Sequence, residues 1–255
     1  MRYYVVADIH GFYTEFKQAL EEKGFFEDTQ PHKLIVCGDL YDRGSEAQEL
    51  QSFILDLMAK DEVILIQGNH EDLSLQLLND WHRGAFLQAH HHSNGTLDTL
   101  TQLTGCTVTD MFLKTDEVGH KYLHNDFIQK IIPSMLDYYE TNRYIFVHGW
   151  IPCQYDREAK TYELIKDWRN ATKEQWNEAR WINGMEAAYH GIVDEAKTIV
   201  CGHWHTSFGH SKYEQDGSEY DEDANFKPYY ANGIIALDGC TAKSKIVNCI
   251  VIEDW

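Results

Sequence analysis

Apolar residues in this chain fall into short, often β-branched runs separated by longer stretches with helical spacing. The runs are Tyr3–Ala7, Leu34–Cys37, Val63–Ile66, Tyr144–Val147, Thr198–Cys201, Ile234–Leu237 and Ile246–Ile252. Runs this short and this continuous, bounded by Gly or Asp, suit strands buried on both faces. Between them, Phe12–Lys23 and Ala47–Ala59 repeat apolar residues at three- and four-residue intervals, which predicts two helices, with Gly24 as the C-cap of the first. Alternation of strand and helix predicts an α/β fold.

From Asp72 to Asp137 the pattern turns mostly helical, which predicts an insertion packed over one edge of the sheet. His90–His92 lies in it. Adjacent histidines in a strand or loop point apart, so a solvated loop is expected there. Asp156–His190 reads as a second helical stretch, with Trp168, Trp176 and Trp181 in its core. Gln215–Asn225 is acidic and poor in apolar residues, the composition of a solvated, mobile loop that could act as a flap.

Length and charge narrow the picture. A chain of 255 residues can form one large α/β domain, and the pattern is read as a single domain over 1–255. It carries 41 acidic and 22 basic residues, a net charge of −19. So acidic a chain repels polyphosphate backbones, so general nucleic-acid binding is excluded and any anionic substrate needs a local positive site. No apolar run approaches the roughly 18 residues of a membrane span. The opening MRYYVVADIHG enters a strand directly, without the marks of a leader. Six cysteines form no CxxC pair, and Cys37, Cys201 and Cys249 sit in strand-like runs. Buried free thiols in a reducing cytoplasm are expected.

The chemistry collects at strand ends. The first five runs end in Asp8-Ile9-His10-Gly11, Gly38-Asp39, Gly68-Asn69-His70-Glu71, His148-Gly149 and Gly202-His203-Trp204-His205. Ligands of open α/β sheets gather at the carboxyl ends of strands. These five ends deliver Asp8, His10, Asp39, Asn69, His148, His203 and His205 to one rim. Imidazole, carboxylate and one amide, with no thiolate, suit borderline divalent metals: Mn²⁺ first, Fe or Zn²⁺ otherwise. Seven donors exceed the needs of one ion and suit two, bridged by a carboxylate.

The motifs DIHG, GDLYDRG, GNHE, VHG and GHWH stand in the order found in calcineurin-like metallophosphoesterases. DRG and GNHE most resemble the serine/threonine phosphatase branch with its bacterial members. That resemblance implies an α/β fold built as a central β-sandwich of mixed sheets flanked by helices, with two metal ions at the strand ends. It implies that Asp8 and His10 hold the first metal, that Asp39 bridges, and that Asn69, His148 and His203 hold the second. His205 departs from the protein-phosphatase pattern, which has Thr there. It matches the GHxH form of the wider superfamily, in which the second His binds the first metal. His70 with Asp42 resembles the family's general-acid dyad, and Arg43 its phosphate-binding arginine. Arg180 and Asn94, the latter within SNGTLDTL, resemble substrate-contacting positions of bacterial members. Physical reasoning supports the dyad: Asp42 can orient the His70 imidazole and keep it protonated for a leaving alkoxide.

Three functions compete. The first is hydrolysis of phosphomonoesters, phosphoprotein esters of Ser and Thr among them. The second is hydrolysis of dinucleoside polyphosphates. The third is a metal-binding scaffold without catalysis, which predicts a broken ligand or acid that the sequence does not have.

Overall fold

The computed structural model describes residues 1–85, 88–156 and 161–254. Two sheets stack face to face. The first has the order β11-β1-β2-β3, built from β1 (Arg2–Val6), β2 (His32–Cys37), β3 (Val63–Ile66) and β11 (Cys249–Glu253). β1, β2 and β3 run parallel and β11 antiparallel to β1. The second has the order β4-β5-β8-β10-β9, built from β4 (Tyr139–Glu140), β5 (Tyr144–Phe146), β8 (Thr198–Cys201), β9 (Tyr229–Ala231) and β10 (Ile234–Ala236). Its inner strands β5, β8 and β10 are parallel, and its edges are antiparallel.

The continuous apolar runs make sense in this sandwich because each strand is covered on both sides. Tyr3, Val5, Ile35, Cys37 and Ile66 meet Phe146, Val200 and Leu237 between the sheets. Tyr4, Val6, Leu34 and Val36 face outward onto Phe16 and Leu20 of α1 (Tyr13–Glu22) and Leu50 and Ile54 of α2 (Ala47–Ala59). On the opposite outer face Ile145, Val147 and Ile199 pack against Trp150, Trp168, Trp176 and Met185. The expected β-sandwich flanked by helices is what the structure has.

Among the described residues, the stretch 72–137 is mostly helical. It comprises α3 (Asn69–His82), α4 (Ala89–Ser93), α5 (Thr96–Thr104), α6 (Val108–Leu113), α7 (Thr115–Leu123) and further short turns. Leu77, Trp81, Leu100, Met111, Val118 and Tyr122 from these helices join the same core as α1 and α2, so the helices extend the outer layer.

Three expectations need correction. The stretch 156–190 does not begin as helix: β6 (Cys153–Asp156) and β7 (Thr161–Leu164) form an antiparallel hairpin, with the Tyr155 and Tyr162 rings 4.7 Å apart. Cross-strand aromatic pairing favours the strand there. Trp168 and Trp176 are core, but Trp181 is 52% exposed. His90–His92 is not a solvated loop. The three residues lie in α4, and His91 is fully buried.

Candidate metal centre and active site

The carboxyl ends of β1, β2, β3, β5, β8 and β10 meet along one rim at the seam of the two sheets. On the first sheet the loops after β1 and β2 are laced together. Asp8 N–H donates to Gly38 O at 3.2 Å, His10 N–H to Asp39 O at 3.0 Å and Gly44 N–H to His10 O at 2.7 Å. Holding these loops requires left-handed backbone at Asp8, His10, Asp39, Asp42 and Arg43, with φ between 52° and 73°. Non-glycine residues adopt this only where the surroundings enforce it, and such strain concentrates at functional sites. β3 ends at Gly68, where a Cβ would lie 2.1 Å from Asp39 Oδ1, so only glycine lets the β3 turn approach the carboxylate.

Asp39 is the centre of the arrangement and is 2% exposed. Its Oδ2 lies 3.7 Å from His10 Nε2, and its Oδ1 lies 3.4 Å from His148 Nε2. Donor atoms of His10, Asp39 and His70 form one group within 4.8 Å, and those of Asp39, His148 and His203 form another. His10 Nδ1 donates to Tyr41 O at 2.9 Å and His148 Nδ1 to Cys37 O at 2.8 Å. Those bonds fix the tautomers and leave both Nε2 lone pairs facing the rim. Burial drives His10, His148 and His203 below the ordinary imidazole range, His203 to about 3. They are neutral donors. The His148 Nε2 lone pair faces Asn69 Oδ1 at 2.8 Å.

Asp8 is fully buried and accepts the His203 N–H at 2.9 Å. Burial, with Asp238 and Asp39 alongside, pushes its carboxyl well above the usual range. Buried carboxylates that repel one another while neutral imidazoles surround them suit a cation, and the donor set fits divalent ions.

The structure brings His70 and Asp42 together. His70 Nδ1 lies 2.7 Å from Asp42 Oδ2. Asp42 is fixed in turn by the Thr96 hydroxyl at 3.0 Å and the Thr99 hydroxyl at 2.7 Å. Burial works against charging His70, but Asp39 and Asp42 outweigh it and hold the imidazole above its ordinary pKa. The Arg43 guanidinium reaches both His10 Nε2 and His70 Nε2 at 3.2 Å.

The model of calcineurin-like phosphoesterases matches residues 1–207. The chain belongs to that family. It is similar to the asymmetrical bis(5'-nucleosyl)-tetraphosphatase PrpE of Bacillus subtilis (strain 168), 29% identical over 219 residues, 80% of this chain and 79% of that one. It is also similar to the symmetrical bis(5'-nucleosyl)-tetraphosphatase of Buchnera aphidicola subsp. Acyrthosiphon pisum (strain Tuc7), 39% identical over 71 residues. That match covers 28% of this chain and spans only 24% of the relative's length. The solved structure of a cold-active protein-tyrosine phosphatase of a psychrophile Shewanella sp. shares the fold, with a TM-score of 0.56 at 19% identity over 99% of this chain and 75% of that one.

At this calcineurin-like rim, three expected site residues are engaged with partners of their own. His205 is turned away: its Nδ1 meets the Ser207 hydroxyl at 2.8 Å and its Nε2 the Tyr220 hydroxyl at 3.0 Å. Neither ligand group includes it. Tyr220 belongs to the acidic loop, which is tied to the rim by Ser207 donating to Glu219 O and Lys243 donating to Tyr220 O. Arg180 is 4% exposed, and its guanidinium is held by Asp72, Asp137 and Asn177. Asn94 spends its amide on His90 O at 2.8 Å.

Two residues not singled out in the sequence belong to the rim. Asp238 ends the β10 run just as Asp39 ends β2, and burial pushes it up to about 6 against the Cys240 N–H and Arg43, which pull it down. The Asp-Gly ending of a sixth apolar run was its signal. Glu71 is fully buried and accepts N–H groups from Gly68 at 2.7 Å, Asp39 at 3.1 Å and Leu40 at 2.9 Å. It clasps the ends of β2 and β3, and GNHE contains it in plain view.

Proposed function

We propose that the protein is a two-metal phosphoesterase that hydrolyses phosphomonoesters, phosphoprotein esters of Ser and Thr among them. The observation that carries this reading is Asp39, whose two oxygens face donor groups on different sheets. Asp8, His10 and Asp39 would hold one ion, and Asp39, Asn69, His148 and His203 the other. Bound divalent ions, Mn²⁺ by preference and Fe or Zn²⁺ otherwise, supply the Lewis acidity that activates the attacking water. The chain's own groups do the rest. Arg43 offers a planar fork that matches a phosphoryl group's oxygens. His70, held up by Asp39 and Asp42, would deliver its Nε2 proton to the leaving oxygen once the Arg43 guanidinium, 3.2 Å from that nitrogen here, has turned to the phosphoryl group. Buried free cysteines suit a reducing cytoplasm, and among the described residues no helix is long and apolar enough to cross a membrane.

A second reading, hydrolysis of dinucleoside polyphosphates, has an observation of its own. Trp181 is exposed and its ring lies 5.9 Å from that of His203. An indole at the mouth of a phosphate site can stack a nucleobase, worth about 1–3 kcal/mol per base. The test is Mn²⁺-dependent hydrolysis of a panel: p-nitrophenyl phosphate, phosphoserine peptides and dinucleoside tetraphosphates, with the parent and Trp181→Ala. Turnover of the monoesters, indifferent to Trp181, supports the first reading. Preference for the dinucleotide, lost with Trp181, supports the second. No hydrolysis with full metal loading refutes both.

A further inference from the structure

Beside the segment that seats Asp42, two imidazoles, one of them fully buried, gather around a carboxylate. Asp80 lies near the end of α3, and His90 and His91 stand on α4. One donor atom from each falls within 4.8 Å of the other two. His91 is fully buried, and its Nε2 lies 3.0 Å from Asp80 Oδ2. The two rings lie 4.0 Å apart. His91 Nδ1 and His90 Nε2 are shut off from solvent and have no hydrogen-bond partner among the described residues. A buried polar atom without a partner costs stability, and two side by side are hard to explain as packing alone. Burial also outweighs Asp80 and keeps His91 below the ordinary imidazole range, so lone pairs are on hand.

We propose that Asp80, His90 and His91 form an ancillary site for a divalent cation of the Zn²⁺ type, separate from the metal centre at the rim. Two imidazoles and a carboxylate make a familiar three-ligand set for such an ion, with the fourth position open to water. An ion on His91 Nε2 requires the proton shared with Asp80 to shift to Nδ1, which keeps the imidazole neutral, and the ion gives His90 Nε2 the partner it lacks.

The position gives the site a role. It joins α3, whose first turn carries Asn69 and His70, to α4, which leads directly into Gly95 and Thr96. His70 and Asp80 are separated by about 15 Å along the helix axis at about 1.5 Å per residue. Gly95 abuts Arg43 so tightly that a Cβ would lie 2.5 Å from Arg43 N. Thr96 donates to Asp42. A cation clamped between α3 and α4 therefore pins the segment that seats Asp42 and Arg43.

The test counts zinc, which does not depend on turnover and so stands or falls apart from the phosphoesterase reading. The chain is stripped with chelator, equilibrated with Zn²⁺ alone and assayed for bound metal by atomic emission. His90→Ala and His91→Asn are each expected to bind one ion fewer per chain than the parent. Asp39→Asn is expected to lose rim metal and keep the ancillary ion, and His90→Ala added to Asp39→Asn removes that ion too. If His91→Asn fails to fold, His90→Ala decides, because His90 is partly exposed and circular dichroism checks its fold. Equal zinc content in the parent and folded His90→Ala overturns the proposal.

Discussion

The two sheets reach the rim on different terms. The first sheet's ends are locked to each other by backbone. The loops after β1 and β2 exchange hydrogen bonds, and Glu71 clasps the ends of β2 and β3. The second sheet's candidate ligands lean on the first. His148 is aimed by Cys37 O, and the His203 N–H is caught by the Asp8 carboxylate. The dependence is uneven: Thr241, past β10, donates to Asp8 O at 3.0 Å, but the second sheet's His148 takes its aim from the first sheet's backbone. Damage to the first sheet's end should therefore disable both ligand groups, and damage to the second should weaken only one.

The largest effect expected is from Asp39→Ala. It removes the one carboxylate common to both groups, and kcat should fall by about 10³-fold or more, the several kcal/mol of charge stabilisation that metals provide. Excess Mn²⁺ should not restore it, whereas His203→Ala should be partly rescued. Equal rescue of the two variants in Mn²⁺ titrations breaks the asymmetry.

His70→Asn should lower kcat by about 10²–10⁴-fold for poor leaving groups. With a nitrophenolate leaving group, which needs little protonation, the loss should be far smaller. Equal losses for both substrates would show that His70 serves as a ligand, consistent with its place beside His10 and Asp39. Steady-state rates with the two ester types decide it.

Glu71→Ala strands three buried N–H groups at once, and should cost about 3 kcal/mol or more of stability, since each unsatisfied donor costs about 1–3 kcal/mol. Chemical denaturation of the metal-free chain measures it. A loss under 1 kcal/mol, below the low end for even one stranded donor, would show that the first sheet does not depend on this clasp.

The smallest effect belongs to His205→Ala. Its ring bonds to Ser207 and Tyr220, so removal should lower the thermal midpoint by the equivalent of about 1 kcal/mol per lost hydrogen bond. The Mn²⁺ titration should not move. A rightward shift in that titration would show that the acidic loop releases His205 to the metal and that the second sheet holds a further ligand.

Much of the first sheet was legible because its chemistry is local. A buried run followed at once by Asp, Asn or His is visible in a line of sequence, and α2 falls on Ala47–Ala59 as its spacing predicts. What escaped depends on who faces whom. Asp238 ends its run with no histidine to mark it and joins the rim only because β10 pairs with β8. His91 looked solvated among its neighbours, and only the packing of α4 buries it. Arg180 carries a phosphate-binding residue type, yet Asp72, 108 positions earlier, comes to hold it. Such pairings are set by tertiary contacts, which a pattern of periods does not encode.

One feature of the sandwich bears on how the protein comes into being. β1 lies between β2 and β11, so Arg2 pairs with His32 on one side and with Glu253 on the other. The second pairing closes a loop across nearly the whole chain, and contacts so distant form slowly because closure entropy is spent before any contact rewards it. Asp8 follows β1 with only Ala7 between, so the centre waits on this closure. During synthesis the DIHG segment emerges long before β11, the strand that closes against β1. Refolding followed by circular dichroism should recover helix before the chain takes up Mn²⁺. Metal capture would then act as a latch on a strand order already made, and would slow its undoing.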